Sequence, residues 1–208
     1  MTIIYTVARM NPPTLGHFKL IETMMEEAIR KNVTKIHIIL SSKVDSKKNP
    51  LEPEEKRYIL QTYGIPRAKT DLVLRFPHQA MVIDRLRVNI MLTHESNRHS
   101  PNDVFGTVQD LLLGREHNEK IIFVTGEQDF PVEKGTEVIL LDRTKFPISG
   151  TMVRAAANVS FENFADFYPG LSQRDIMGMY DAITDHIKPH VEIPKRYALR
   201  SYGILSEN

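Results

Sequence analysis

The sequence predicts an α/β protein: a Rossmann-like, doubly wound parallel sheet of about five strands, with a small C-terminal helical extension. Short β-branched apolar runs alternate with longer stretches of helical periodicity over the first ~140 residues. Those runs are apolar nearly throughout, as strands covered on both faces are. Pro, Gly, Asn and Asp fall between them and punctuate the change of period.

Thr2–Ala8 reads as the first strand and stops at Asn11-Pro12-Pro13, which continues neither strand nor helix. From Gly16 onward Phe18, Ile21, Met24, Met25, Ala28 and Ile29 recur at three- and four-residue spacing, which predicts an amphipathic helix. Lys35–Leu40 is a second strand, so strand, helix and strand form a parallel crossover unit. A polar stretch from Ser41 to Pro53 precedes a helix over Glu54–Tyr63, with Gly64 and Pro66 as its stop. Asp71–Phe76 is predicted as the third strand, and Gln79–His94 as a helix with Ile83, Leu86, Ile90 and Met91 inward. Asn102 or Asp103 can cap a helix running to Leu113. Lys120–Thr125 and Glu137–Leu141 complete the strands, and helical segments follow near Phe161–Phe167 and Gln173–Ile187. Residues 1–157 are expected to form the Rossmann-like domain, and 158–208 the helical extension and tail.

Composition narrows the function. The chain has 208 residues with 27 Lys+Arg against 26 Asp+Glu, a net charge of +1, which predicts neither a nucleic-acid nor a membrane partner. Without Cys there is no disulfide framework, thiolate zinc site or cysteine nucleophile. No apolar run approaches the ~20 residues that span a bilayer. The opening MTIIYTVARMNPP lacks the basic region and cleavage site of a signal peptide. These features predict a soluble, cytoplasmic protein. His186 and His190 have an i, i+4 spacing, but Pro189 interrupts their helix and no third ligand is in view, so no metal site is predicted. The basic tail residues Lys195, Arg196 and Arg200 are a solvated end or a contact to a neighbouring subunit in a homo-oligomer.

In open α/β sheets ligands bind beyond the carboxyl ends of the strands. The first such end reads Ala8-Arg9-Met10-Asn11-Pro12-Pro13-Thr14-Leu15-Gly16-His17. Thr14 supplies a hydroxyl, Gly16 omits a side chain where a bulky group would press on backbone, and His17 lies in the first turn of the following helix. That helix end, with its unpaired N–H groups and partial positive charge, favours a phosphate.

Thr14-Leu15-Gly16-His17 resembles the T/HxGH motif of the nucleotidylyltransferase superfamily, relatives of the HIGH-type aminoacyl-tRNA synthetases. Ile148-Ser149-Gly150-Thr151-Met152-Val153-Arg154 looks like the superfamily's second signature, ISxTxxR, at the start of a late helix. Between them, Lys48-Asn49-Pro50-Leu51-Glu52-Pro53-Glu54-Glu55-Lys56-Arg57 is similar to the NPFTxxER stretch of archaeal-type nicotinamide-mononucleotide adenylyltransferases, which also begin GRFQPFHxGH. Thr14, where those enzymes carry His, is similar instead to phosphopantetheine adenylyltransferases.

The resemblance implies attack by an acceptor phosphate on the α-phosphorus of ATP with release of pyrophosphate. His17 and Thr14 would donate to oxygens of the α- and β-phosphates, and Ser149, Gly150 and Thr151 would hold the β- and γ-phosphates. Arg154 would add a fork of donors. Lys47 or Lys48, with Asn49 in the same loop, would close over the acceptor or bridging phosphate. Arg9 and Asn11 would contact nucleotide or acceptor, and Asp129, in a turn similar to the superfamily's GxD, a sugar hydroxyl. Magnesium would arrive with the triphosphate rather than occupy a protein-built cage. Nicotinamide mononucleotide is the first-choice acceptor, giving NAD. The alternatives are cytidylyl transfer to an alcohol phosphate, adenylyl transfer to phosphopantetheine, and a non-catalytic nucleotide-binding regulator or structural subunit.

Overall fold

The computed structural model describes residues 2–45, 48–95, 103–113, 115, 119–142, 144 and 148–187. In chain order the elements are β1 (Thr2–Ala8), α1 (Leu15–Arg30), β2 (Lys35–Leu40), α2 (Pro53–Ile59), a π turn (Leu60–Gly64), α3 (Ile65–Arg75), α4 (Ala80–Arg85) and β3 (Arg87–Leu92). They are followed by α5 (Val104–Leu112), β4 (Lys120–Thr125), β5 (Glu137–Leu140), α6 (Gly150–Val159), α7 (Phe161–Ala165) and α8 (Gln173–Ile187).

The five strands form one parallel sheet in the order β3-β2-β1-β4-β5. This is the doubly wound architecture that the alternating runs predict. Period-two alternation sends neighbouring side chains of each inner strand to opposite faces. Ile4, Ile36, Ile38, Leu40, Ile122 and Val124 join a large core that also takes in the inner faces of α1, α3 and α6–α8. Tyr5, Ile39, Ile121 and Phe123 form a smaller one with Leu112 of α5. Both faces of the inner strands are therefore covered, which is why their sequences are apolar without a polar beat. Among the described residues no helix is long and apolar enough to cross a membrane.

The third strand lies elsewhere than its pattern predicts. Asp71–Arg75 ends α3, and the strand is Arg87–Leu92, inside the stretch expected to be helical. Leu72 is 0% exposed and Leu74 76% exposed. A strand would put both on one face, whereas a helix pairs Leu72 with buried Ala68 one turn back. The expected helix from Gln79 is cut at Leu86, whose extended backbone (ψ 120) starts the strand. Gly64 and Pro66 do not stop the preceding helix either. A π turn, with Ile65 N–H donating to the Leu60 carbonyl, leads directly into α3, and Pro66 follows immediately after this widened turn. Gly64 serves close approach: a Cβ there would meet the Phe18 ring at 2.8 Å.

His37 of β2 lies on the buried sheet, in register with Tyr5 and Asn89, and its Nδ1 is 3.2 Å from the Asn89 amide nitrogen. Burial, reinforced by the charge of Lys35, draws its pKa from 6.5 to about 4. The folded state therefore binds its proton less readily than the unfolded chain. That contribution to stability is intact above pH 6.5 and is lost as the pH falls towards about 4. Urea unfolding between those limits should show a wild-type midpoint that declines with acid and a shallower decline in His37→Gln; equal slopes would remove His37 as the cause.

Candidate functional site

Because the strands are parallel, every strand-to-helix loop leaves at one end of the sheet. The chain steps from β1 outward to β2 and β3, then returns to place β4 on the other side of β1. The loop after β1 thus borders the point where strand order reverses, the usual ligand position in such sheets. At the start of that loop Met10 adopts a left-handed backbone (φ 47) with a buried side chain, and the Asn11–Pro12 bond is cis.

Asn11 is 5% exposed, and its side chain binds the backbone of Leu51 at both ends. Nδ2 donates to the Leu51 carbonyl (3.1 Å), and Leu51 N–H donates to Oδ1 (2.9 Å). Its amide is a clamp on the loop after β2. Its own carbonyl, in turn, accepts a hydrogen bond from an Arg154 η nitrogen. A Cβ on Gly150 would lie 3.1 Å from that same carbonyl oxygen, so a side chain here would crowd α6 away from the β1 loop.

The sequence-predicted residues 149–154 form the start of α6. Ser149 is the N-cap, its hydroxyl accepting from Met152 N–H at 3.2 Å, and Thr151 is exposed one step into the helix. Arg154 also donates to the Thr151 hydroxyl (3.2 Å), so these two bonds use two of its five N–H groups. Burial lowers the Arg154 pKa, and the charge of Asp45 acts in the opposite sense.

Thr14 is the N-cap of α1 and His17 its third residue, and the two form a capping box in which imidazole takes the place usually held by Glu or Gln. Thr14 N–H donates to His17 Nδ1 at 3.0 Å, and the Thr14 hydroxyl lies 2.9 Å from the same nitrogen. A backbone N–H can only donate, so Nδ1 carries a lone pair and the neutral ring holds its proton on Nε2. His17 is half-buried and offers a fixed donor; Thr14, 2% exposed, orients it. Gly16 sits beside it in the same first turn.

The loop after β2 is pinned at several points. Ser41 N–H donates to the Ala8 carbonyl (3.1 Å) and Ser42 N–H to the Thr93 hydroxyl (2.9 Å). Lys56, 0% exposed, donates to the Ser41 carbonyl at 2.5 Å. Burial lowers its pKa to about 8, against the opposing charges of Glu52, Glu54 and Glu55. Asp45 and Asn49 exchange backbone hydrogen bonds (2.8 and 3.2 Å), and an Asp45 carboxylate oxygen accepts from Lys48 N–H at 2.6 Å. The side chain of Asn49, expected to face substrate, is buried and donates to Asp45. Lys48 is exposed; Lys47 lies outside the described residues, as do Phe146, Pro147 and the tail residues Lys195, Arg196 and Arg200.

Arg9, immediately after β1, and Asp129, in the turn after β4, are both exposed at this end of the sheet. The structure adds supports that no motif marks. The Tyr168 hydroxyl, buried between α7 and α8, donates to the Pro13 carbonyl at 2.8 Å and so ties the C-terminal helices to the β1 loop. Lys56 stands in a recognisable stretch, but its burial is set by tertiary contacts; Asp45 and Tyr168 carry no sequence signal. Together the site offers a neutral imidazole donor, a guanidinium and two helix N-termini around one loop. That donor set suits an anion. No group of three or more His, Asp or Glu able to hold a metal occurs among the described residues.

No protein-family model matches the chain, and no curated protein matches it. The functional reading therefore stands on this geometry and on the motifs. Its first test is mechanical. Asn11→Ala leaves both backbone groups of Leu51 without their buried partner, so the expected loss is about 2–4 kcal/mol by urea unfolding. A loss under about 1 kcal/mol would show that Leu51 is held by other contacts.

Proposed function

We propose that the chain is a nucleotidylyltransferase of the superfamily its motifs resemble, transferring AMP from ATP to the phosphate of a mononucleotide. Nicotinamide mononucleotide is the first-choice acceptor, with NAD and pyrophosphate as products. The observation that carries this reading is the hydrogen bond from Arg154 to the Asn11 carbonyl, which joins two stretches of chain that are 143 residues apart. The second motif is thereby tied to the loop that leads into the first.

In this mechanism an oxygen of the acceptor phosphate bonds to the α-phosphorus. The bond from that phosphorus to its bridging oxygen breaks, and the electron pair leaves with pyrophosphate. Such a transfer needs alignment and dispersal of charge more than covalent help. His17 donates through Nε2 to a phosphoryl oxygen, and Thr14 acts through His17 by fixing its ring. The N-terminus of α6, with Ser149, Gly150 and Thr151, receives the outer phosphates, and Arg154 bridges them to the β1 loop. Exposed Lys48 approaches the acceptor or bridging phosphate; Arg9 and Asp129 border the nucleotide. ATP enters as its magnesium complex, since the donors here are groups that bind anions rather than metal. Thr14 in place of His favours a second acceptor, phosphopantetheine, within the same reaction.

Pyrophosphate release measured with ATP or CTP against a panel of acceptors tests the assignment. Magnesium-dependent turnover is expected with ATP and nicotinamide mononucleotide. Turnover with another pair alone reassigns the substrates; none with any pair favours a non-catalytic nucleotide binder. His17→Ala should lower turnover by roughly 10²-fold or more, with a loss of about 0.5–2 kcal/mol of stability from the broken capping box, too little to unfold the chain. A near-normal rate would remove His17 from the chemistry.

A further inference from the structure

Tyr168 lies in the connection between α7 and α8, buried, with its ring centroid 5.1 Å from that of Phe164. The next residue is braced from α3, where Arg67 donates to the Pro169 carbonyl at 2.7 Å. From this fixed position the Tyr168 hydroxyl meets the Pro13 carbonyl at 2.8 Å. A carbonyl only accepts, so the phenol must be the donor. Burial, with Tyr63 acting in the same direction, pushes the phenol pKa up and keeps that proton in place. The Pro13 carbonyl belongs to the same peptide group as the Thr14 N–H. The group is trans, so its C=O and N–H point in opposite directions. That N–H donates to His17 Nδ1 at 3.0 Å. An unbroken line of donors and acceptors therefore runs from the phenol through one peptide group to the imidazole. A donor on the carbonyl fixes the plane of the group and polarises it, which strengthens its N–H as a donor.

We propose that Tyr168 is a positioning residue for His17, holding the Pro13–Thr14 peptide so that its N–H keeps Nδ1 an acceptor and leaves Nε2 as the donor of the ring. The consequence for turnover rests on the nucleotidylyltransferase reading, in which Nε2 donates to a phosphoryl oxygen. The C-terminal helices thus do more than cover the core. Through a hydroxyl 155 residues along the chain from Pro13, they set where the imidazole carries its proton.

The test is nuclear magnetic resonance of the full-length chain, ¹⁵N-labelled in its backbone and histidine rings, with His17 assigned by its loss in His17→Gln. Tyr168→Phe keeps the ring and removes the donor. The Thr14 amide proton should then move upfield, and the scalar coupling between the Thr14 amide nitrogen and His17 Nδ1 should shrink. Replacing all seven tyrosines by 3-fluorotyrosine makes the phenol a stronger donor, and both readouts should move the opposite way. A merely space-filling role would not produce that reversal, and the fluorinated protein decides the matter if Tyr168→Phe fails to fold. Unchanged readouts in either folded protein overturn the proposal. In turnover, Tyr168→Phe should lower kcat roughly 3- to 30-fold with little change in KM. It should cost nothing further in a His17→Ala background. An equal loss with and without His17 would mean that Tyr168 acts by another route, and overturns the proposal. If the resonances respond but His17→Ala turns over normally, or wild type does not turn over at all, the transferase reading fails and the positioning of His17 stands.

Discussion

The site depends on the satisfaction of one buried asparagine. Asn11 follows a residue in a left-handed conformation at the end of β1, and every polar group it presents there must find a partner away from water. Its amide takes both backbone groups of Leu51, and its carbonyl takes Arg154. One residue therefore joins the end of the central strand, the loop after β2 and the second turn of α6. Breaking any of these bonds leaves a buried donor or acceptor alone, which is costlier than the modest net worth of a formed bond suggests.

Around that junction other elements hold the same loops from outside. Lys56 reaches from α2 to the carbonyl after β2, and Tyr168 reaches from the C-terminal helices to Pro13. The capping box of α1 then turns a generic helix start into a directed donor, because the bond that caps the helix also selects the tautomer of His17. Capping and anion binding use the same helix end, so the stability of α1 and the chemistry proposed for it share their geometry.

Much of this was legible in the sequence, for identifiable reasons. The buried parallel strands announce themselves as apolar runs, and β1, β2 and β4 fall within their expected bounds. Residue type narrows the cap of α5 to Asn102 or Asp103, and the structure places it at Asp103, whose carboxylate accepts from Gly106 N–H. The third strand did not. Leu72, Val73 and Leu74 satisfy strand composition, and only the partial exposure of that face separates helix from strand. Position after the first strand pointed to Thr14 and His17, and a motif resemblance to Ser149, Thr151 and Arg154; the structure sets both groups at the same end of the sheet. Asn11 and Asn49, by contrast, were expected to meet ligand and instead bind protein, since nothing local tells an asparagine which partner tertiary structure will supply.

The central claim is that the imidazole of His17 and the guanidinium of Arg154 share one polyphosphate. The most direct measurement is a crystal structure with a non-hydrolysable nucleoside triphosphate bound. Phosphate oxygens are expected within hydrogen-bonding distance of His17 Nε2 and of the Arg154 guanidinium in the same ligand. A triphosphate lying against only one of these groups, or away from the carboxyl ends of β1 and β4, would contradict it.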